Sequence, residues 1–341
     1  MIEKINTQMI ILAREARGMS QMDLAKKIGM TATNLSKIER NEIGVSPAIV
    51  EQISLATYFP VQFFMHPGNI LPDSLSYRRK DKVPQKILVP INSTINIIKN
   101  HVELLCKGLH IQKAELPSMG KLKDPVAIAA RLRMEWNVKD GPVESMVKLM
   151  EQQGIIISTF DFDTFRVDSR TLLTSYKVPV VFINKALSGD RQRFSLAYEL
   201  GQLIMHTFTS VHPERNVAHE ANLFAASFLM PEETIKADLA KGVTIPLLAS
   251  LKKKWKVSMI SLLYRADDLG LLTANQKRYL LQQFNQLKIR RCEPPELDVA
   301  REIPQQLRRL IAEYRSKTKL TTGGMAAVFA LNVDEFVKMY G

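Results

Sequence analysis

Residues 193–206 read RFSLAYELGQLIMH, and the pairing of Glu199 with Tyr198 and Gln202 is the chain's clearest chemical signal. On a helix, positions four apart share a face, so residues 198 and 202 look the same way with Glu199 beside them. A hydrolytic zinc helix needs imidazoles at those two positions and a carboxylate general base between them. A neutral phenol and an amide are poor replacements, because zinc takes nitrogen, sulfur or carboxylate donors. Without a metal-polarised water a base at Glu199 has nothing to activate, so the frame of a hydrolytic centre is expected without its chemistry.

The elements that must position these residues belong to a chain of 341 residues with 46% hydrophobic content, which suits two or three domains. No apolar run approaches the ~20 residues of a bilayer span. The start, MIEKINTQMIILAREARG, does not have the pattern of a signal peptide, so a cytoplasmic location is expected and no membrane partner. Cys106 and Cys292 stand far apart without ligand-like neighbours, which argues against a disulfide framework or zinc knuckle. The net charge of +13 fits a nucleic-acid partner but is uneven: +1 over residues 1–66, +6 over 67–140, −3 over 141–235 and +9 over 236–341. The runs Arg78, Arg79, Lys80 and Lys252, Lys253, Lys254 are read as solvated faces.

From Asn6 to Met65 apolar residues recur at helical spacing in five short runs broken at Gly18, Gly29, Gly44 and Pro60. Ser20 and Asp23 form a capping-box pattern, Gly29 suits a left-handed helix end, and Thr31 can cap the next helix. Two short helices joined by so brief a turn are a helix-turn-helix. The string SQMDLAKKIGMTATNLSKIERNEIGVSPAIVEQISLA resembles the DNA-binding domain of the Xre, or lambda-repressor-like, family. That resemblance implies a five-helix bundle whose helix near Thr31 enters the major groove of double-stranded DNA. Ala32, Thr33, Asn34 and Lys37 would then lie nearest the base edges, and Gln21 and Arg40 would hold phosphates. It also implies a structural ion pair between Arg14 and Glu39. With a charge of only +1 in this segment, tight binding calls for a homodimer on a two-fold site.

Residues 67–124 are read as linker and connecting helices, the stretch 66–90 with its four prolines marking the boundary. Further on, Ile155–Ile157 and Val178–Ile183 are strand candidates. GPVESMVKLMEQQGI, the Glu199 helix and EANLFAASFLMP together resemble the ImmA/IrrE-like metallopeptidase family, over a domain placed at residues 125–235. The resemblance implies a zincin-like α+β fold in which Glu199 holds the general-base position and Glu220 the third-ligand position, with Tyr198 and Gln202 where the family has histidines. His206, on the same face as 198 and 202, could join Glu220 and either Gln202 or His219 in a weak metal site, but zinc is not expected. Tyr198, Gln202 and Glu220 would instead line a pocket for a peptide, a small molecule or a protein effector.

Residues 236–341 read as a helical carboxy-terminal region. TKLTTGGMAAVFALNVDEFVKMY has a helix-turn-helix rhythm, yet Gly323 and Gly324 sit where a helix should begin, so a partner-binding or dimer-forming tail is expected. The fold class is thus mainly α with a small β-sheet. The function expected is a sequence-specific transcription regulator with an inactive peptidase-like effector domain. Two alternatives remain: a metallopeptidase that cleaves a repressor, and an antitoxin-like protein that binds a toxin and regulates its own operon.

Overall fold

Side-chain caps and short apolar stripes build the amino-terminal unit. The computed structural model describes residues 5–68, 78–79, 83–119, 122–207, 214–240, 242–290 and 292–341. Asn6 caps helix α1 (Thr7–Ala16), the Ser20–Asp23 capping box opens α2 (Gln21–Lys27), Thr31 caps α3 (Ala32–Glu39) and Ser46 caps α4 (Pro47–Thr57). The fifth apolar run forms a 3-10 turn at Val61–Met65. Gly18 and Gly29 reverse the chain at φ of 65° and 68°, where a side chain is strained. Met9, Leu24, Leu35, Ile38 and Ile53 close the small core.

Residues 69–77 and 80–82 of the proline-rich stretch, including Lys80, lie outside the described residues, and of Arg78–Arg79 only the backbone, strand β1, is described. The linker read as ending at residue 90 is corrected: helix α5 (Gln85–Leu109) starts right after Pro84 and runs through Pro90. Pro90 removes one helical hydrogen bond. Burial of Leu88, Ile91, Ile95, Ile98, Val102 and Leu105 along the helix offsets that loss.

Beyond α5 come α6 (Pro125–Glu135), α7 (Met146–Gln152), β2 (Ile156–Phe160), β3 (Val167–Leu173) and β4 (Pro179–Asn184). The sheet order is β1-β3-β4-β2, with β2 parallel to β4 and β3 antiparallel to both β4 and β1. The two strand candidates are β2 and β4. Strand β3 was not expected, because its VDSRTLL sequence is polar for a buried strand.

The sheet divides two cores, as the two-residue period of a strand dictates. Ile156, Val180 and Phe182 point into the core shared with α5 and the amino-terminal unit. Ile157, Val181 and Ile183 point to the opposite core, built from α6, α7, α8 (Gly189–Gln202) and α9 (Val217–Leu229). Helices α10 (Glu232–Leu239), α11 (Ile245–Trp255), α12 (Met259–Asp268) and α13 (Ala274–Gln286) complete that second core.

The chain then crosses back. Glu302 ties the crossing segment down by accepting from Ser145 Oγ at 2.6 Å and from the Val147 amide at 2.7 Å, and it pairs with Arg193. Helices α14 (Gln306–Thr318), α15 (Thr322–Val328) and α16 (Val333–Tyr340) follow. Leu310, Ile311, Met325, Phe329 and Phe336 of these helices belong to the first core, beside α5 and α1. The objection raised by the glycine pair is corrected: α15 runs through Gly323 and Gly324 because Thr321 caps it, its side chain accepting from the Gly324 amide at 3.1 Å. The whole is mainly helical with one small sheet, and among the described residues no helix is long and apolar enough to cross a membrane.

Candidate functional site

Helix α3 has two unlike faces. Inward, Glu39 is buried and receives Arg14 through Nε at 2.6 Å and a second guanidinium nitrogen at 3.1 Å. The Gln21 amide donates to the same carboxylate at 2.6 Å, so the nitrogen expected to hold a phosphate is engaged inside the unit. Outward, Thr33, Asn34 and Lys37 are exposed and Ala32 is half-buried. Arg40, also exposed, lies 3.2 Å from Glu42. An exposed helix face with a hydroxyl, an amide and an ammonium can donate to and accept from base edges in a major groove.

The Glu199 region is built differently. Helix α8 packs on β3, and the Glu199 carboxylate, 1% exposed, accepts from Ser169 Oγ at 2.6 Å and Thr171 Oγ1 at 2.7 Å. Ser169 and Thr171 are two apart on one strand and so share the face turned to α8. The other face of β3 carries Arg170, which donates to Asn92 on α5. Sequence reading missed this pair of hydroxyls. Its available signal was the alternation of Ser169 and Thr171 with Asp168 and Arg170.

Tyr198 and Gln202 do share a face, and the Gln202 amide donates to the Tyr198 hydroxyl at 3.1 Å. Past Gln202 the helix widens into a π turn, Leu203–Thr207, which carries His206. His206 Nδ1 lies 3.1 Å from Gln202 Oε1, and its Nε2 lies 2.8 Å from Glu220 Oε2. Arg215 closes the chain, reaching Glu220 Oε1 through Nε at 2.9 Å and Oε2 at 2.6 Å. The structure therefore brings Tyr198, Gln202, His206 and Glu220 together, adds Arg215, and leaves His219 exposed outside the group. Nothing in the sequence singled out Arg215.

Electrostatics follow from these contacts. Burial pulls His206 below the usual histidine range, against the opposing pull of Glu220. Burial tends to raise Glu220, but hydrogen bonds from Arg215 and His206 outweigh it and hold the carboxylate below its ordinary value. The permanently charged partner of Glu220 is the Arg215 guanidinium. Among the described residues no group of three or more His, Cys, Asp or Glu side chains is arranged to hold a metal ion.

A cavity of about 490 Å³ opens beside Tyr198, with Phe194 and Ile260 in its walls as well as Arg191, Lys252, Cys292 and Glu293. Two of its cations are paired: Arg191 Nε reaches Asp168 at 2.9 Å, and Lys252 reaches Asp190 at 2.7 Å and Glu293 at 2.6 Å. Cys292 is exposed and Cys106 buried, and neither is in a disulfide.

Comparison with known proteins follows the same division. Residues 10–57 match the helix-turn-helix family, and residues 150–267 match the IrrE N-terminal-like domain. The radiation response metalloprotease IrrE of Deinococcus radiodurans is 36% identical over 101 residues, covering 26% of this chain and 31% of the relative. The match thus takes in about a third of that relative's length. The chain therefore carries a segment that matches the helix-turn-helix family, at residues 10–57, and one that matches the IrrE N-terminal-like domain, at residues 150–267.

Proposed function

We propose that this protein is a sequence-specific transcription regulator, acting as a homodimer in the cytoplasm, whose IrrE-like domain is a metal-free effector module rather than a peptidase. The observation that carries the reading is the closed chain Tyr198, Gln202, His206, Glu220, Arg215. A catalytic zinc needs three protein donors and an open position for water. Here both nitrogens of His206 are engaged, both oxygens of Glu220 face a guanidinium, and positions 198 and 202 offer no imidazole. That donor set does not fit zinc, and Glu199, bonded to Ser169 and Thr171, is a structural anchor for α8 on the sheet. Thr33, Asn34 and Lys37 read bases and Arg40 meets phosphates, while the cavity beside Tyr198 receives a peptide, small-molecule or protein effector.

Two measurements on the purified full chain test this together: metal content with a zinc titration, and mapping of the DNA it occupies in its own cells. Expected are no stoichiometric zinc and discrete two-fold sites near promoters. Tight zinc binding with cleavage of a repressor would move the reading to a metallopeptidase. Occupancy of its own promoter alone, with a small co-purifying protein, would move it to an antitoxin-like role.

A further inference from the structure

The carboxy-terminal helices repeat the amino-terminal ones in register. Helix α15 begins at Thr322 and α16 at Val333, each 301 residues after its counterpart, α2 at Gln21 and α3 at Ala32. The lengths agree as well, with seven residues in α2 and α15 and eight in α3 and α16. Left-handed residues recur at the same offset: Gly18 and Gly29 correspond to Lys319 and Ala330, at φ of 55° and 51°. Local bonds recur too. Arg14 donates to the Met19 carbonyl and Arg315 to the Leu320 carbonyl, at 2.9 and 3.2 Å. The Met30 amide bonds the Ala25 carbonyl and the Leu331 amide bonds the Ala326 carbonyl, both at 2.9 Å. Buried Leu24, Ala25 and Leu35 have buried counterparts in Met325, Ala326 and Phe336.

Both units stand on α5. Helix α1 meets its first half, where Ser93 Oγ donates to Glu15 at 3.0 Å. Helix α14 meets its last turn, where Lys317 donates to the Gly108 carbonyl at 2.9 Å and Gly108 leaves room for Tyr314.

The chemistry of the two reading helices has diverged. Where α3 presents Thr33 and Asn34, α16 carries Asp334 and Glu335, which phosphates would repel. Those two acids grip the first unit. Glu335 lies 2.5 Å from Arg17, Asp334 accepts from the Tyr58 hydroxyl at 3.1 Å, and Asn332 donates to the Tyr58 carbonyl at 3.1 Å. Tyr58 ends α4, so the start of α16, with its partial positive charge, abuts the partial negative end of α4.

We infer that residues 306–341 are a second helix-turn-helix unit whose reading helix has become an intramolecular dock, holding the DNA-reading unit of the same chain against α5 while leaving α3 free. The dock needs no assumption about DNA; only the comparison of reading chemistries rests on the function proposed above.

Hydrogen exchange on the full chain tests the dock. Glu335→Arg should speed amide exchange at least about tenfold in α1 and at the α4 end, with exchange in β2–β4 unchanged. Combining it with Arg17→Glu should restore protection. Unchanged exchange in Glu335→Arg, or no recovery in the double variant, would overturn the dock. A second arm uses a duplex about 30 base pairs long carrying a site that the protein occupies in its own cells, titrated at several salt concentrations. Lys338→Ala, at the counterpart of Lys37, should change affinity less than about twofold and leave the salt slope intact. Weakening as large as that of Lys37→Ala would make the second unit a DNA reader and overturn its assignment as a dock. Failure of Lys37→Ala alone to weaken binding would count against the DNA-reading residues and leave the exchange result standing.

Discussion

Helices α3 and α8 each carry a buried glutamate on the side facing the core, and they differ in what the opposite side does. Glu39 locks α3 to α1 through Arg14, and Thr33, Asn34 and Lys37 remain exposed on the other face. Glu199 locks α8 to β3 through Ser169 and Thr171, but the neighbouring Tyr198 and Gln202 turn to each other and onward to His206 and Glu220. One helix is anchored so that polar groups can meet something outside the chain. In the other, polar groups that could meet a metal are partnered within the chain. The position of a carboxylate on a helix therefore says little until its hydrogen-bond partners are counted.

The comparison breaks most sharply at the anchors. Arg14→Ala leaves Glu39 buried with only Gln21 donating, and removing one partner of a buried ion pair costs about 3–5 kcal/mol. Chemical denaturation should show a loss of that size; a change below about 1 kcal/mol would mean that Glu39 finds water or another donor. Next in size is the presenting face. Thr33→Ala with Lys37→Ala should leave the unfolding curve unchanged and remove about 3 kcal/mol of preference for a mapped site over random DNA, roughly 100-fold, from contacts worth about 1–3 kcal/mol each. Retained preference would place base reading elsewhere. Glu199→Gln keeps the shape but cannot accept both hydroxyls in the same way, and should lower stability by about 1–3 kcal/mol without changing DNA affinity.

Much of this contrast was legible in the chain. Capping residues and glycines marked α2 and α3 because local hydrogen bonds fix helix ends, and the four-residue spacing of Tyr198 and Gln202 put them on a common helix side. Contacts made across long sequence separations were not legible. Ser169 and Thr171 sit on a strand too polar to stand out, and their polarity makes sense only once Glu199 is opposite them. Arg215 lies five residues before Glu220, with no repeat or motif to mark it. The carboxy-terminal repeat was obscured because caps and turns survive in it by equivalence: Thr321 for Ser20, Ala330 for Gly29, and a glycine pair inside α15.

Titration sharpens the comparison from the α8 side. Burial lowers the folded-state pKa of His206 beneath its unfolded value near 6.5, so the unfolded chain binds the extra proton. The stability that His206 contributes is therefore fully present above about pH 6.5 and declines as the pH falls through that value, by at most about 1.4 kcal/mol per pH unit for one proton. Denaturation between pH 7.5 and 5.5 should show that decline in the native protein and a smaller one in His206→Gln. Equal slopes would mean that His206 is protonated alongside Glu220.

Arg40 offers the smallest effect and the finest distinction. Its guanidinium is exposed and 3.2 Å from Glu42, an arrangement worth little to folding at a surface. If Arg40 instead turns to a phosphate on binding, Arg40→Ala should weaken specific and random duplexes alike and lower the salt slope by about one unit, because a phosphate contact carries no sequence information. Loss of specific binding alone would make it a base reader. An unchanged slope would leave it as the surface partner of Glu42, and the presenting face would then end at Lys37.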